Sequence, residues 1–256
     1  KPPRQGRGRV MEGFMRYGIF SDIHSNLEAL EAVIKAYRKE KIDKYLCLGD
    51  VVGYGANPNE CVEITRSLAA LTVAGNHDWA VVDLFSRELF SEDAKVAILW
   101  TSRQLFENNR NFLQTLKLVY ELDNFVLVHG SLNNPQDFNY LLNINNCQAT
   151  FEFLQSNVCF VGHTHVPIIF VKDKQGKAYY EDIPKIRIEP GNKYVINVGS
   201  VGQPRDNVPD AAYCVWDTEK LEVEIKHTAY DVFIARQKII DKGLPEFMGN
   251  RLLIGN

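Results

Sequence analysis

Short apolar runs recur along the chain, and each one ends at a cluster of polar or glycine residues. The clearest runs cover residues 17–20, 45–48, 71–74, 125–128, 158–161 and 194–198. Runs of this length, rich in β-branched and aromatic residues, are typical of strands that are buried on both faces. Beyond residue 155 the pattern predicts further strands over residues 166–171, 178–181, 186–189, 211–217 and 221–227.

Helical periodicity separates the early strands. Residues 26–40 place Leu30, Val33 and Tyr37 three or four positions apart, and Ser25 or Asn26 is a suitable N-cap. Similar spacing predicts helices over residues 58–68, 91–106 and 230–242. Because strands that alternate with helices usually pair in parallel, the first half of the chain predicts a parallel sheet. The chain shows no internal repeat or linker, so we predict a single domain over residues 15–256.

The composition fits a globular chain with a large core. The 256 residues are 45% hydrophobic and 24% charged, which excludes a disordered chain and a mini-protein held by disulfides. No apolar run approaches the ~20 residues that a bilayer span needs, so we expect no membrane partner. The five cysteines form no Cys-x-x-Cys pair. We interpret them as buried thiols in a reducing compartment, and we predict a cytoplasmic protein.

Charge is unevenly distributed along the chain. The net charge is −3, yet residues 1–14 are rich in Gly, Pro and Arg and carry four basic residues against the single acid Glu12. We predict that this segment is a disordered extension or a remnant of cloning, with a nucleic-acid-binding arm as the alternative. The rest of the chain is acidic, which argues against a nucleic acid partner.

Five of the six histidines lie in the clusters that end the apolar runs. They are His24, His77, His129, His163 and His165. In open α/β sheets, ligands bind beyond the carboxyl ends of the strands. We therefore expect these clusters to converge on one edge of the fold.

The residue types in these clusters are those of a metal site. The candidate ligands are Asp22, His24, Asp50, Asn76, His129, His163 and His165. Residues two positions apart in an extended segment point the same way, which predicts that Asp22 and His24 share one ion and that His163 and His165 do so too. Seven nitrogen and oxygen ligands suit two divalent ions rather than one. Imidazole and carboxylate ligands favour Mn, Fe, Zn, Co or Ni, among which we expect Mn.

Taken in order, the motifs resemble those of the calcineurin-like metallophosphoesterases. The matching residues are Asp22-x-His24, Gly49-Asp50, Gly75-Asn76-His77-Asp78, His129 and Gly162-His163-x-His165. The later segment 197–206 is similar to that of the small prokaryotic phosphodiesterase branch. The resemblance implies a four-layer α/β/β/α sandwich, in which two mixed β-sheets are flanked by helices.

The resemblance also implies a role for each residue of the site. Asp22, His24 and His165 would hold the first metal, Asn76, His129 and His163 would hold the second, and Asp50 would bridge them. His77 would act on the leaving-group oxygen, with Asp78 orienting its ring. The implied reaction is in-line attack on phosphorus by a hydroxide that both ions share.

Three further residues are candidates for contact with a small phosphate-ester substrate. Arg205 is suited either to a phosphate or to an ion pair with Asp206. Tyr54 lines the expected cleft or packs within the protein, and Asn26 contacts the site or caps a helix. The segment 131–150, which we predict to be loop-like, would select the substrate.

One departure from the family pattern bears on the reaction. Phosphoprotein phosphatases of this superfamily follow Gly-Asp with Asp-Arg, whereas Val51 and Val52 follow Asp50 here. The absence of that phosphate-binding arginine favours a phosphodiesterase over a phosphomonoesterase or protein phosphatase. A nuclease is a further alternative, which the acidic body argues against. Another is a non-catalytic metal-binding scaffold of the same fold, but the retained His77 favours an enzyme.

Overall fold

The computed structural model describes residues 14–122 and 124–256. Residues 1–13, which carry most of the basic head, lie outside the described residues. The nature of the head and the single domain over residues 15–256 therefore stay predictions. Across the described ranges, no helix is both long and apolar enough to span a bilayer.

Two six-stranded mixed sheets form the centre of the molecule. In spatial order, the first sheet contains β3 (Leu71–Thr72), β2 (Lys44–Cys47), β1 (Arg16–Phe20), β11 (Ala211–Asp217), β12 (Glu222–Thr228) and β9 (Lys185–Arg187). The strands β1, β2 and β3 are parallel to one another, whereas β11, β12 and β9 join by antiparallel pairing. The parallel sheet predicted for the first half is therefore one half of a mixed sheet.

The second sheet repeats this mixture of parallel and antiparallel pairing. In spatial order it contains β4 (Val119–Glu121), β5 (Phe125–Val128), β6 (Val158–Val161), β10 (Lys193–Asn197), β7 (Ile168–Lys172) and β8 (Ala178–Glu181). The strands β5, β6 and β10 are parallel, and antiparallel strands complete both edges.

Helices cover the outer faces of the two sheets. They are α1 (Leu27–Tyr37), α2 (Pro58–Ser67), α3 (Asn76–Val81), α4 (Glu92–Gln104), α5 (Glu107–Thr115), α6 (Ile144–Phe153), α7 (Val232–Asp241) and α8 (Glu246–Asn250). Short 3₁₀ turns cover Arg87–Leu89, Pro135–Asp137 and Arg251–Leu253.

Successive side chains along a strand point to opposite faces of the sheet, so each strand contributes side chains to two cores. On β1, Ile19 joins the apolar cluster between the sheets, which also contains Phe160, whereas Phe20 packs with Val33 of α1 on the outer face. The outer face of the second sheet packs against α6 through residues such as Phe151. Both strand faces are buried, as the continuous apolar runs predict. The predicted α/β/β/α sandwich is confirmed.

The first helix shows why the sequence pattern succeeds locally. Asn26 caps α1 by accepting a hydrogen bond from the backbone N–H of Ala29 at 3.2 Å. Tyr37 is buried at the other end, where its hydroxyl donates to the carbonyl oxygens of Ile19 at 2.8 Å and Cys214 at 3.1 Å. These bonds join the helix to two strands of the first sheet, so α1 fixes the loop that precedes it.

The structure differs from the predicted elements in several places. The segment 131–150 is only partly loop, because Asn143 caps α6 and the helix begins at Ile144. The third apolar run forms a strand of just two residues, and the cluster that follows it is the start of α3. The sequence reading missed β4, α5 and α8, which are short or lack a continuous apolar stripe.

Candidate metal centre

The polar clusters from both sheets meet at one edge of the molecule. Asp22, Asp50 and Asn76 follow strands of the first sheet, whereas His129 and the segment 163–165 follow strands of the second. All of these side chains are buried, the most exposed being Asn76 at 7%. The predicted convergence of strand ends is therefore what the structure shows.

Within the described residues, the converging side chains form overlapping groups that could each hold a metal ion. One contains Asp22, His24 and His165, and another contains Asp50, His129 and His163. A third joins His24, Asp50 and His77, so Asp50 belongs to two of the three groups. The ligand atoms of each group lie within 4.8 Å of one another. Asn76 is buried nearby, and its Oδ1 has no hydrogen-bond partner.

The two carboxylates each use one oxygen for the fold and turn the other toward the imidazoles. The Oδ1 of Asp50 accepts the backbone N–H of His77 at 2.8 Å. Its Oδ2 lies 3.6 Å from Nε2 of His24 and 3.3 Å from Nε2 of His129. One oxygen thus faces a ligand of each metal group, which is the arrangement that a bridging carboxylate requires.

Asp22 follows the same division. Its Oδ2 accepts the backbone N–H of His163 at 3.0 Å. Its Oδ1 lies 3.3 Å from Nε2 of His165 and is buried without a hydrogen-bond partner. A buried carboxylate oxygen without a donor is costly unless a cation completes its environment.

Backbone carbonyl groups fix the tautomers of two histidines. Nδ1 of His129 lies 2.6 Å from the carbonyl oxygen of Leu48, and Nδ1 of His165 lies 2.6 Å from that of Gln203. A carbonyl oxygen only accepts, so each Nδ1 carries a proton, and each ring in its neutral form presents the lone pair of Nε2 to a metal. Metal-ligating histidines are oriented in this way.

Pairs of ring nitrogens also face each other directly. Nε2 of His24 lies 3.1 Å from Nε2 of His165, and Nε2 of His129 lies 3.1 Å from Nδ1 of His163. Lone pairs in this arrangement repel unless a proton or a cation lies between them. The donor set, the unpartnered oxygens and these contacts together fit two divalent ions.

Electrostatics favour the protonation states that metal binding needs. Burial lowers the pKa of His163 to about 3 and that of His165 to about 4, so both rings are neutral at pH 7. Burial alone would raise the pKa of Asp22, but His165, His24 and His129 together outweigh it and hold that pKa well below its ordinary value. At His129 the Asp50 carboxylate outweighs burial and raises the pKa to about 9. That ring must release a proton when it binds a metal.

The ligand loops have unusual backbone conformations. Five ligands adopt positive φ angles: Asp22 at 53°, His24 at 48°, Asp50 at 51°, His163 at 70° and His165 at 63°. Non-glycine residues rarely occupy this region, and such strain clusters at functional sites. The local segments are therefore not extended, and the argument that neighbours two positions apart point the same way is wrong here. Asp22 and His24 share a group because their loop turns.

The same loop geometry separates His163 from His165. His163 joins Asp50 and His129, whereas His165 joins Asp22 and His24. The interpretation that both histidines hold one ion is therefore wrong. The division implied by the family resemblance matches the observed groups, although each ligand's role stays a prediction.

His77 lies beside the metal groups, but Asp78 does not orient its ring. Nε2 of His77 is 3.0 Å from the hydroxyl oxygen of Tyr54, and its Nδ1 is buried without a partner. The oxygens of Asp78 accept the backbone N–H groups of Val52 and Gly75, each at 3.1 Å. Asp78 therefore holds the loops that carry Asp50 and His77, and the contact predicted between Asp78 and the His77 ring is absent. Tyr54 makes that contact instead.

The remaining predicted substrate residues lie in different environments. Tyr54 and Arg205 line the cleft over the metal groups. Arg205 does not pair with Asp206, which contacts His227 at 3.0 Å. Asn26 uses its Oδ1 to cap α1 and its Nδ2 to bind the carbonyl oxygen of Gly202 at 2.9 Å. Both ends of that side chain serve the fold, which favours capping over substrate contact.

Comparison with known proteins gives the same picture as the site geometry. The family model that describes the calcineurin-like phosphoesterase superfamily domain matches residues 15–221, which is most of the chain. The chain belongs to the calcineurin-like phosphoesterase superfamily. It is 41% identical over 241 residues to an uncharacterised protein of Methanocaldococcus jannaschii, covering 93% of this chain and 97% of that protein.

Solved structures place the phosphoesterase fold over nearly the whole chain. A metallophosphoesterase from Sphaerobacter thermophilus is 35% identical and superposes with a TM-score of 0.83, covering 95% of this chain and 100% of that one. A hypothetical protein from Pyrococcus horikoshii is 21% identical, with a TM-score of 0.77 and coverage of 94% and 98%. The second likeness shows the fold alone. The family to which the chain belongs and the geometry of its site together identify the chain as a metallophosphoesterase.

Two contacts in the phosphoesterase site were not predicted from the sequence. Asn197 donates from Nδ2 to the carbonyl oxygen of Gly162 at 2.6 Å and to Oγ1 of Thr164 at 2.9 Å, which holds the turn between the two histidines. Tyr140 stacks on His163 with ring centroids 3.9 Å apart. Asn197 lies in the segment 197–206 that carries the resemblance, so its motif was the available signal. Tyr140 belongs to the segment 131–150 that the sequence predicts to select the substrate, and it lines the cleft, but its contact with His163 had no signal of its own.

Proposed function

We propose that the protein is a binuclear metal-dependent phosphodiesterase that hydrolyses a small phosphodiester or nucleotide-type substrate. The observation that carries the proposal is the position of Asp50, whose Oδ2 faces His24 of one metal group and His129 of the other. Two adjacent cation sites with a shared carboxylate are the arrangement used for in-line displacement at phosphorus. The lack of an arginine directly after Asp50 supports a diester, which carries less charge than a monoester.

The predicted ligands fit two divalent ions, because bound cations would give a partner to the buried side-chain oxygens of Asp22 and Asn76 that have no hydrogen bond. When bound, divalent ions lower the pKa of a ligated water and neutralise charge on the phosphate oxygens. We propose Mn, because mixed imidazole and carboxylate ligands suit transition metals better than Mg or Ca.

His77 is the residue that we assign to the leaving-group oxygen. Its Nδ1 is buried, whereas Nε2 is turned toward the Tyr54 hydroxyl, and both residues line the cleft. Burial lowers the pKa of His77 well below its ordinary value. The neutral ring can hold the leaving oxygen through an N–H hydrogen bond at Nε2. Tyr54 orients the ring before the substrate arrives.

Arg205 is the residue that we assign to the phosphate. Its backbone N–H donates to the carbonyl oxygen of His165 at 3.2 Å, which places the residue next to a metal ligand. Its Nη2 donates to Oε1 of Gln203 at 2.9 Å, whereas its buried Nε has no partner. A guanidinium held by neutral partners and not by a carboxylate, beside the metal groups, is suited to a phosphate oxygen.

Two general features of the chain, its cysteines and its charge, support two further parts of the proposal. The five cysteines are buried and unpaired, which supports a reducing, cytoplasmic location. The acidic composition of the chain supports a small substrate rather than a nucleic acid partner.

A metal-reconstitution assay tests this function. Protein stripped with a chelator is supplied with Mn, Fe, Zn, Co or Ni in turn, and hydrolysis of bis(p-nitrophenyl) phosphate is compared with that of p-nitrophenyl phosphate. We expect Mn to restore turnover, the diester to be preferred and His77→Asn to lower kcat about 100-fold, as for loss of a general acid–base group. Preference for the monoester would overturn the diesterase assignment. Absence of turnover with every ion would favour the metal-binding scaffold.

A further inference from the structure

The cleft over the metal groups has a wall that comes from the C-terminal part of the chain. The cleft has a volume of about 480 Å³, and the side chains of Phe247, Met248 and Arg251 line it together with Asp50 and His163. The superfamily model ends at residue 221. This wall, formed by α8 and the turn after it, therefore belongs to a segment that the shared domain does not include.

Two guanidinium groups face this cleft, and in the described part of the chain neither is paired with the side chain of an Asp or Glu. Arg205 donates to the amide oxygen of Gln203, and Nε of Arg251 donates to the main-chain oxygen of Asn256. Apart from Asp50, the described acidic residue that lines the cleft is the exposed Asp137. Burial, and then the charge of Arg205, lower the pKa of Arg251. Two like charges beside one cavity favour an anionic ligand.

The two arginines occupy different positions along the cleft. Arg205 is bonded through its backbone to His165, next to the metal groups. Arg251 lies on the C-terminal wall, where its guanidinium carbon is 5.2 Å from the ring centroid of Phe247. Stacking on an aromatic ring limits the motion of the guanidinium, and because Nε is already bonded to Asn256, its Nη groups are the donors that can contact an anion. One arginine can thus contact the phosphate that reacts while the other contacts a separate group.

Part of the cleft wall is aromatic. Phe90 lies edge-on to His77 with ring centroids 4.9 Å apart, and it also contacts Phe85 at 5.9 Å. Phe85 in turn contacts Phe138 at 5.0 Å. All three phenylalanines line the cleft. Phe85 and Phe90 are half-buried, so this wall offers apolar ring surface to an aromatic ring of the substrate.

We propose that Arg251 is a specificity-determining residue that binds a second phosphate of the substrate, one that is not cleaved. This inference rests on the proposed function and narrows it to a nucleotide-type phosphodiester that carries an additional phosphate. The nucleobase packs against the phenylalanine wall, Arg205 contacts the reacting phosphate and Arg251 contacts the other one. Phe247 is a positioning residue for Arg251.

Matched nucleotide ligands test the second-phosphate site by binding alone. Calorimetry compares thymidine 3′,5′-bisphosphate with thymidine 5′-monophosphate on the Mn-loaded protein. We expect the wild type to bind the bisphosphate about 10-fold more tightly, the effect of one charge-assisted hydrogen-bonded contact. Arg251→Gln should remove this preference, whereas the control Arg236→Gln should keep it. Arg236 is another half-buried arginine of the C-terminal part, bonded to Asn250 at 2.8 Å and outside the cleft.

A kinetic comparison extends the test to the reaction. The substrates are thymidine 5′-(p-nitrophenyl phosphate) and its 3′-phosphorylated form, and the readout is the ratio of their KM values. We expect a ratio of about 10 in the wild type and about 1 in Arg251→Gln. A wild type without the preference, or an Arg251→Gln variant that retains it, would overturn the proposal. If no diester is hydrolysed, the phosphodiesterase assignment fails, while the calorimetric ratio still decides the role of Arg251.

Discussion

The hydroxyl oxygen of Tyr54 lies 3.0 Å from Nε2 of His77. Burial raises the pKa of Tyr54 to about 12, so its hydroxyl keeps its proton across the usual working range. The two rings also pack edge to face, with centroids 4.5 Å apart. This pair takes the place of the Asp78 contact that the sequence suggested, and it makes Tyr54 the residue that sets the orientation of His77.

Removing the Tyr54 hydroxyl should therefore slow the reaction. We expect Tyr54→Phe to lower kcat for bis(p-nitrophenyl) phosphate about 10-fold, the effect of losing one orienting hydrogen bond. Metal content should not change, because Tyr54 is in none of the metal groups. Tyr120→Phe is the control, since it removes the same hydroxyl from β4, outside the cleft. Equal kcat values for wild type and Tyr54→Phe would contradict this role.

Asp50 and Asp22 should differ in how many metal ions they hold. The free oxygen of Asp50 faces both main groups, whereas that of Asp22 lies closest to His165 of one group. We expect Asp50→Asn to reduce the metal content from two ions per chain to less than one, and Asp22→Asn to remove about one ion. Elemental analysis of dialysed protein measures both changes. Asp50→Asn protein that still holds two ions would show that another group bridges them.

The part that could be predicted was the gathering of these residues at one edge, because each predicted ligand follows an apolar run that is recognisable by itself. The sequence analysis also anticipated the caps and cores of the early elements, such as Asn26 at the start of α1. The local reason for the clustering was misjudged. Ligands at positive φ, such as Asp22 and His165, turn within one or two residues, and the spacing of side chains along the sequence does not reveal such turns.

Long-range contacts were not predictable for a different reason. The carbonyl oxygens of Leu48 and Gln203 hold the Nδ1 protons of His129 and His165. Every residue has a backbone carbonyl group, so the sequence does not show which carbonyl groups will contact a histidine. The proposed role of Arg251 depends on the packing of α8 and the following turn against the cleft. This helix has only five residues and little periodicity, so the sequence does not predict that position.

Removing the metals should destabilise the protein. The ions would offset the repulsion between the paired imidazole nitrogens, such as those of His24 and His165, and would satisfy the Asp22 oxygen. Mn at 1,000 times its dissociation constant adds about 4 kcal/mol to the free energy of unfolding, which raises Tm by roughly 10 °C at this size. Differential scanning calorimetry with Mn and with a chelator measures the shift. A Tm that is independent of the chelator would argue against bound metal.

The metal-free protein should also lose stability in acid. Burial lowers the pKa of His163 to about 3, that of His165 to about 4 and that of His77 well below its ordinary value. These rings stay neutral in the folded protein, whereas the unfolded chain takes up their protons as the pH falls through about 6.5. Acid therefore favours the unfolded chain. Asp78 and His129, whose pKa values are raised to about 7 and about 9, oppose part of this effect because they hold protons in the folded state.

The net change should be a loss of about 2 kcal/mol in the free energy of unfolding between pH 7 and pH 5. Urea denaturation in the presence of a chelator measures it. His165→Gln removes one of the three depressed histidines, which contributes about 1.8 kcal/mol over this range, so it should remove most of the net pH dependence. A free energy of unfolding that is constant or higher at pH 5 would contradict the neutral state of these rings.

A methyl group at Gly53 should disturb both His24 and His77. Gly53 has a φ of 142°, and a Cβ there would lie 2.5 Å from Nδ1 of His24 and 3.0 Å from Nδ1 of His77. We expect Gly53→Ala to lower the free energy of unfolding by about 2–3 kcal/mol and kcat by about 100-fold, because small displacements of catalytic groups are costly. Gly176→Ala is the matched control, since its φ is 86° but nothing lies within 4 Å of the added carbon. That variant should show only the backbone penalty of about 1 kcal/mol with unchanged kcat, and a Gly53→Ala protein with wild-type kcat would show that the two rings are not held by this contact.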